Sequence, residues 1–412
     1  MRLFDYVDEA LLRLEAHTPR ISRRPSVWPS EASAVMKIPA EAPIIGKCHR
    51  AAYFRMTGEP VYSPPDAVAL RRFRTGRAME VDIAELAKEA GIFVASGVRL
   101  KSDRIDMNYE LDIVVIDPKT KVPYIVENKS IYGYWAAKSV IKDGNPKLEA
   151  VLQICLYLNE LQTGAELKRA IGESLQRQRE TREELETVKT GADYNADRVE
   201  VLESIASRYR TEVDEDNLAE ISDDVQVQGK LAYETRDDCQ TREFDISLDT
   251  NPLTEETFPV IDGRLFKGFT VESIYDRFET LQKYWLRAIQ EAHRRLAERG
   301  LSEIGELLRP EEVKDAPSEF WEEMAKEVRR LPVEFLPPAE YEWRYSPDRV
   351  EELHDLGFIS DSKYKKWKSS KGKNKESLGA WQCRYCPYRK KCVSLEYPDM
   401  RHLLLDLQES AA

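Results

Sequence analysis

One continuous stretch of the chain constrains the fold class more than any other. Residues 66–90 have the apolar spacing of an amphipathic helix, and Gly91 supplies a stop signal for it. Strand patterns follow this helix, and a second helix is predicted to begin with Pro146 in its first turn. The three strand patterns cover 92–101, 107–117 and 122–131, and the second helix covers 146–161. This order of elements predicts an α/β core in which a sheet is flanked by helices.

The rest of the chain is arranged around this core. Residues 165–222 are highly charged with weak apolar spacing, which predicts an inserted helical hairpin or coiled coil, or else a solvated, partly disordered arm. Strand patterns return at 228–235 and 242–249. A long helix is predicted at 271–299 and a short helix at 398–409. The predicted divisions are an N-terminal segment 1–65, a first core part 66–164, a charged helical insertion 165–228, a second core part 229–300, and a wrapping segment with a basic loop and a cysteine cluster 301–412.

The net charge of −12 argues at first against a nucleic-acid partner. The charge is unevenly distributed, however. Residues 165–228 hold 17 acids and 9 bases, whereas residues 361–376 hold seven lysines and two acids. A basic surface is therefore compatible with the sequence, and the acidic segment suits a protein partner.

The sequence contains no apolar run that approaches the length of a membrane span. Its N-terminus lacks the apolar stretch and the small-residue cleavage site of a signal peptide. We therefore expect a cytoplasmic protein that does not bind membranes.

Charged side chains in two neighbouring predicted strands suggest a metal site. Asp112 interrupts an otherwise apolar strand face, and Glu127 and Lys129 lie two residues apart on the next strand. Paired strands would bring the two carboxylates together, where they repel each other unless a divalent cation lies between them. Oxygen ligands of this kind suit Mg²⁺ or Mn²⁺. The alternative is a surface Glu–Lys pair on an edge strand, because Glu-x-Lys is common by chance.

Both predicted core helices carry polar residues spaced four apart, which places each pair on one helix face. Gly76 and Glu80 precede the strands, and Gln153 and Tyr157 follow them. Gly76 would let a strand or ligand approach the backbone, and Glu80 would add a third carboxylate.

In this order, the motifs resemble those of the RecB-like nucleases of the PD-(D/E)XK superfamily. The matching residues are Gly76-x₃-Glu80, Asp112, Glu127-x-Lys129 and Gln153-x₃-Tyr157. The resemblance implies a restriction-endonuclease-like core of a mixed central sheet flanked by helices. The first motif often carries His in the family, and Glu80 in that place is also able to ligate a metal.

The resemblance also implies a role for each residue of the site. Glu80, Asp112 and Glu127 would ligate Mg²⁺ or Mn²⁺ together with the backbone carbonyl of Asn128. Lys129 would orient the attacking water or offset charge in the transition state.

The implied activity is a metal-dependent DNA exonuclease, with endonuclease activity left open. Gln153 and Tyr157 would position the substrate or support the site. The implied substrate is single-stranded or end-exposed DNA in recombination, repair, or CRISPR or phage DNA processing. The alternative is a DNA-binding accessory or assembly protein with weak or no nuclease activity.

Four cysteines form a split pattern. Cys383, Cys386 and Cys392 lie close together in the sequence, and Cys48 precedes the core. Metal ligation explains such a group better than disulfides in a cytoplasmic chain. The arrangement resembles the iron–sulfur subgroup of the same nucleases and implies a [4Fe-4S] cluster that clasps the N- and C-terminal segments together. A Cys₄ zinc site is the less favoured alternative.

Basic residues with interleaved aromatic residues near the C-terminus suggest DNA contacts. The alternative is a flexible, solvated lysine loop. The candidate DNA-binding residues are Lys363, Lys365, Lys366, Trp367, Arg389 and Lys390.

Overall fold

The computed structural model divides the chain into two units. The first comprises residues 1–27, 33–70 and 276–412, and the second comprises 28–32 and 71–275. The described residues are 3–14, 21–22, 24–38, 43–62, 64–102, 104–191, 198–199, 202–203, 206, 210–300, 318–370 and 378–396.

The second unit contains a mixed eight-stranded sheet, so the protein is α/β with helices flanking a central sheet. The strand order is β10-β9-β8-β7-β5-β4-β3-β6, and its neighbours are antiparallel except for the parallel pair β5 and β7. A short antiparallel pair, β1 and β2, lies in the first unit. The strands are β1 Ser33–Val35, β2 Ile44–Gly46, β3 Phe93–Lys101, β4 Asn108–Ile116, β5 Pro123–Ile131, β6 Glu212–Val213, β7 Gln228–Thr235, β8 Thr241–Thr250, β9 Thr257–Ile261 and β10 Arg264–Leu265.

Helices connect these strands and build most of the first unit. A parallel pair needs a long crossover, and the chain between β5 and β7 accordingly contains several helices. The helices are α1 Leu3–Leu14, α2 His49–Met56, α3 Ala67–Glu89, α4 Tyr134–Ala137, a π-helix Lys138–Lys142, α5 Leu148–Glu160, α6 Gly164–Thr190, α7 Glu215–Glu220, α8 Val271–Glu298, α9 Ser318–Arg329, α10 Pro347–Asp355, α11 Asp361–Ser369, α12 Trp381–Arg384 and α13 Arg389–Glu396, with 3₁₀ turns at Pro29–Glu31 and Val333–Phe335.

Helices α3 and α5 flank opposite faces of the sheet around β5. Ala87 of α3 belongs to a buried cluster with Val126. Ile125 points to the other face and is paired with Gly229 of β7. A Cβ at Gly229 would lie 2.8 Å from Ile154 of α5, so the glycine allows this helix to pack closely. The central strand is thereby covered on both sides.

The charged segment 165–228 is partly built into the sheet. Ser174 of α6 accepts a hydrogen bond from the backbone N–H of Arg99 on β3 (2.9 Å). The edge strand β6 pairs with β3, and the Thr211 hydroxyl donates to the Gly97 carbonyl (3.0 Å). A buried cluster formed with Leu185 packs part of the segment back against α6. These contacts fix α6 and β6 to the core sheet.

In the first unit, the beginning of the lysine-rich stretch forms helix α11 rather than the predicted basic loop. Tyr364 stacks on the ring of His354, with centroids 4.0 Å apart, and Trp367 stacks on Tyr364 at 5.8 Å. Both aromatic side chains pack against a buried cluster, and this anchoring holds the turn in helical form. The remaining lysines of the stretch and the predicted helix 398–409 lie outside the described residues.

Across the described ranges, none of the helices has the length and apolar character required to cross a membrane.

Candidate active site

Asp112 and Glu127 lie where strands β4 and β5 begin to separate. The ladder between the two strands ends one residue short of both carboxylates. Beyond that point, the backbone N–H of Asn128 donates to Asp112 Oδ2 (3.4 Å) instead of continuing the ladder. Lys129 is ion-paired with Glu127 Oε1. Two acids and a lysine therefore meet at the opening between two central strands.

Glu127 is the most deeply buried of these groups, with 1% of its surface exposed. Its Oε1 accepts from Lys129, whereas its Oε2 is buried and makes no hydrogen bond of normal geometry among the described residues, although the Tyr157 hydroxyl lies near the carboxylate. Burial of an unpaired carboxylate oxygen is unfavourable by several kcal/mol in ordinary protein interiors. A divalent cation would satisfy this oxygen, so the residues present fit a metal ion.

The electrostatics of Asp112 and Lys129 also favour a cation at this site. Burial, and then repulsion from Glu127, raise the pKa of Asp112 well above its usual range, although Lys129 opposes the shift. Burial alone would lower the pKa of Lys129, but attraction to Glu127 and Asp112 outweighs it, and the pKa is raised. Lys129 therefore stays protonated, and the carboxylates lack sufficient positive charge.

Glu80 reaches the same group of charges from helix α3. The side chain is half-buried, and burial raises its pKa, with Lys129 opposing and Glu127 reinforcing the shift. One turn earlier, a Cβ at Gly76 would lie 3.2 Å from Ser130 Oγ, so the glycine lets α3 approach the end of β5. The predicted pair on α3 thus lies against the predicted strand.

Gln153 and Tyr157 form a hydrogen-bonded pair on α5. Gln153 Nε2 donates to Tyr157 Oη (2.6 Å), and Tyr157 Oη donates to the carbonyl of Glu110 on β4 (3.2 Å). Tyr157 is fully buried, and burial followed by the charges of Glu127 and Asp112 raises its pKa far above the usual range. The pair braces the strand that carries Asp112.

Sequence reasoning missed Lys147, which precedes α5. Its backbone N–H donates to Tyr233 Oη (3.1 Å). Burial lowers the pKa of Lys147, and the charge of Lys129 lowers it further, which places the two lysines near each other. Its position directly after Pro146, at the start of a predicted helix, is the signal that was available.

As the side chains lie, no group of three or more His, Cys, Asp or Glu residues among those described is arranged to hold a metal ion. The Lys129 ammonium group is ion-paired with one oxygen of Glu127, so this oxygen is not open to an ion as the side chains lie. Ion binding at this site would require that oxygen to be released or the ion to use Oε2.

The four cysteines of the split pattern lie in the first unit, where Cys48 and Cys383 pack against the same buried cluster, but as described their thiols are not arranged as a metal-ligand group. Burial raises the pKa of Cys383 to about 12, and the neighbouring thiols of Cys48, Cys392 and Cys386 raise it as well. Burial, followed by the charge of Glu340, raises the pKa of Cys48 to about 11. All four cysteines are half-buried, and none of them forms a disulfide.

The predicted DNA-binding side chains fall into two groups in the first unit. Lys363, Lys365 and Lys366 are exposed on α11, whereas Trp367 is half-buried against its cluster. In the second group, Arg389 Nη1 donates to the Arg384 carbonyl (3.4 Å), and Lys390 is half-buried. The exposed lysines are available for phosphate contacts, but Trp367 already uses one ring face on Tyr364.

No protein-family model matches the chain, and comparison with curated proteins and with solved structures found no match either.

Proposed function

We propose that the protein is a metal-dependent deoxyribonuclease of the RecB-like PD-(D/E)XK type, with a restriction-endonuclease-like core. Its substrate would be single-stranded or end-exposed DNA, which it would cleave as an exonuclease. One observation carries the proposal: Asp112, Glu127 and Lys129 meet where a central strand pair opens, and Glu127 Oε2 is buried without a hydrogen bond of normal geometry among the described residues. A surface ion pair would not leave a buried oxygen unsatisfied.

Each residue of the site has a separate role in the proposed reaction. Glu80, Asp112, Glu127 and the carbonyl of Asn128 would hold Mg²⁺ or Mn²⁺, which lowers the pKa of bound water and stabilises phosphoryl charge. Lys129 carries a positive charge beside these acids, and it orients the attacking water or offsets charge in the transition state.

The α5 pair has a supporting role in this proposal. Tyr157 holds the backbone of β4 through the Glu110 carbonyl, and Gln153 holds the Tyr157 hydroxyl. The pair fixes the strand that presents Asp112 and thereby preserves the separation between the acids.

The proposal includes a [4Fe-4S] cluster held by these four cysteines, with zinc as the less favoured occupant; the packing of Cys48 and Cys383 against one buried cluster supports it. Such a cluster would clasp the segment at Cys48 to the segment containing Cys383, Cys386 and Cys392. Its role would be structural.

A second candidate is a DNA-binding accessory protein without nuclease activity. The Lys129–Glu127 ion pair favours it, because a closed pair is also what a purely structural site would contain. A protein partner binding the charged segment 165–228 would be compatible with either function.

Asp112→Asn tests the proposed reaction. We expect wild-type protein to shorten linear single-stranded DNA in Mg²⁺ or Mn²⁺, and the variant to lose about a hundredfold or more of this activity, because the uncharged amide binds a divalent cation poorly. The control is Asp117→Asn, in the exposed turn at the other end of the same strand.

Circular single-stranded DNA separates the modes of cleavage. Cutting of linear DNA alone supports an exonuclease, and cutting of circles shows endonuclease activity. Full activity of purified Asp112→Asn would refute the assigned site, and inactive wild-type protein in both metals would favour the accessory function.

A further inference from the structure

Three large aromatic side chains directly follow the strand that carries Glu127 and Lys129. Tyr132, Tyr134 and Trp135 are 56%, 64% and 76% exposed, respectively. Gly133, with φ of 92°, makes the turn between them. Large aromatic residues are rarely exposed side by side unless they serve recognition. We call Tyr132, Tyr134 and Trp135 the aromatic platform.

Cations accompany the rings of the aromatic platform. The guanidinium carbon of Arg72 lies 4.7 Å from the ring centroid of Tyr132, and Lys138 Nζ lies 5.8 Å from the ring of Trp135. Tyr134 packs edge-to-face on Trp135, with centroids 5.1 Å apart. Each cation is within the range of cation–π attraction. The contacts orient the rings while most of their surface remains open to solvent.

The two segments that build this surface are basic in an acidic protein. Residues 71–78 contain four arginines and no acid, and residues 131–142 contain two lysines and no acid, whereas the whole chain carries −12. Exposed rings flanked by cations complement a polyanion that also offers flat apolar faces. An acidic peptide lacks regularly spaced faces of this kind.

Helix α3 links the aromatic platform to the carboxylates. Arg72, Gly76 and Glu80 are each four residues apart and share one helix face. Arg72 lies over Tyr132, Gly76 lies against Ser130, and Glu80 lies among the charges of the site. Helix α3 therefore runs antiparallel to β5. At 1.5 Å per residue, the eight residues from Arg72 to Glu80 span roughly 12 Å, a distance of a few nucleotides.

We propose that the aromatic platform binds single-stranded nucleic acid, stacking bases on Trp135 and Tyr134 and placing phosphates near Arg72 and Lys138. The bases of a duplex are stacked on one another, so their faces are closed to protein side chains, whereas those of a single strand are open. The inference deepens the proposed nuclease function and rests on it for the fate of the bound strand, which would lead along α3 to Glu80, Asp112 and Glu127.

Trp135→Ala in the full-length protein tests the stacking. Binding is measured by fluorescence anisotropy in EDTA, so that no cleavage occurs, with an oligothymidylate of about 15 nucleotides and an abasic backbone of the same length. We expect about fivefold to a hundredfold weaker binding of the oligothymidylate, little change for the abasic strand, and recovery of most of the affinity in Trp135→Phe. The control is Leu253→Ala, an exposed apolar residue between β8 and β9.

Arg72→Gln tests the phosphate contact independently. We expect the dependence of log Kd on log salt concentration to become shallower by about 0.7, the value for one phosphate contact on a single strand. Lys119→Gln, in the exposed turn between β4 and β5, should leave the slope unchanged. An unchanged slope in Arg72→Gln would remove this residue from the proposed surface.

Unaltered affinity of folded Trp135→Ala for oligothymidylate would overturn the inference, as would tighter wild-type binding of duplex DNA or of an acidic peptide. Unchanged thermal unfolding verifies the fold of the variant, because Trp135 is 76% exposed. The proposed function is tested separately: wild-type protein that binds single-stranded DNA but does not cleave it would contradict the nuclease function and leave the aromatic platform supported. Protein that cleaves but loses nothing in Trp135→Ala would overturn only the platform.

Discussion

At the scale of single residues, Glu127 shows why one buried oxygen favours the proposed metal site over a structural ion pair. Its two oxygens differ: Oε1 is paired with Lys129, and Oε2 is buried and unpaired. A sequence search finds Glu-x-Lys in either case, because it cannot tell where a strand ladder ends. The ladder between β4 and β5 stops just before this residue, so Glu127 lies beyond the paired part of the strands.

Replacing Lys129 should separate catalysis from stability. In Lys129→Met we expect DNA cleavage to fall by about a hundredfold or more, because the positive charge beside the acids is lost. In EDTA the variant should also unfold more easily by about 1–3 kcal/mol, since the buried Glu127 carboxylate loses its partner. Thermal unfolding with and without Mn²⁺ measures this effect, and Mn²⁺ should raise Tm more in the variant than in the wild type.

Lys121→Met provides the control for this comparison, because Lys121 pairs with Glu220 in an exposed turn. It should leave cleavage unchanged and alter stability by less than about 1 kcal/mol. Cleavage by Lys129→Met at the wild-type rate would exclude Lys129 from the reaction.

At the scale of elements, the regular pattern of the core made its strands and helices predictable. The strands predicted at 92–101, 107–117 and 122–131 are each confirmed to within about one residue at either end, and α3 and α5 are confirmed to within about two. Alternating apolar residues and turn signals involve residues that are close together in the sequence, so they can be recognised without the structure.

The edge strand β6 has no such local signal. It is two residues long, and its pairing with β3 depends on tertiary contacts at Thr211. Likewise, α11 forms within a lysine-rich stretch because Tyr364 and Trp367 are anchored by a buried cluster outside the helix. The end of the β4–β5 ladder was unpredictable for the same reason.

Gly97→Ala tests how β6 is held in the sheet. Gly97 has φ of 60°, and an added Cβ would lie 2.7 Å from the backbone carbonyl of Arg210. The methyl group would clash with backbone that cannot rotate away, so we expect a loss of about 1–3 kcal/mol in the free energy of unfolding. Urea denaturation measures the loss, and hydrogen exchange should show faster opening at Glu212 and Val213.

Gly172→Ala is the matched control. Gly172 lies within α6, and an added Cβ would meet no atom within 4 Å. Alanine favours the helix over glycine, so this variant should gain about 0.5–1 kcal/mol. Equal and small effects of the two substitutions would contradict the close approach of residue 210 to β3.

At the scale of the whole molecule, each of the two units holds a different candidate site. The sheet unit contains the acids and the aromatic platform, and the other unit contains the four cysteines. Cys48 precedes residues 71–275 of the sheet unit in sequence, whereas Cys383, Cys386 and Cys392 follow them. A metal link between these segments would close a loop that includes residues 71–275 of the sheet unit, and closure of a long loop restricts the unfolded chain strongly.

Removal of one cysteine ligand should therefore loosen the first unit more than the sheet. We expect wild-type protein purified without oxygen to be brown and to contain about four irons per chain, and Cys386→Ser to lose iron. Limited proteolysis should then cut the first unit earlier than in the wild type, while β3–β9 remain protected. Cys239→Ser, at an exposed cysteine, should retain both iron and protection. Zinc in place of iron would identify the alternative occupant, whereas full metal content and unchanged proteolysis in Cys386→Ser would exclude a metal clasp at these cysteines.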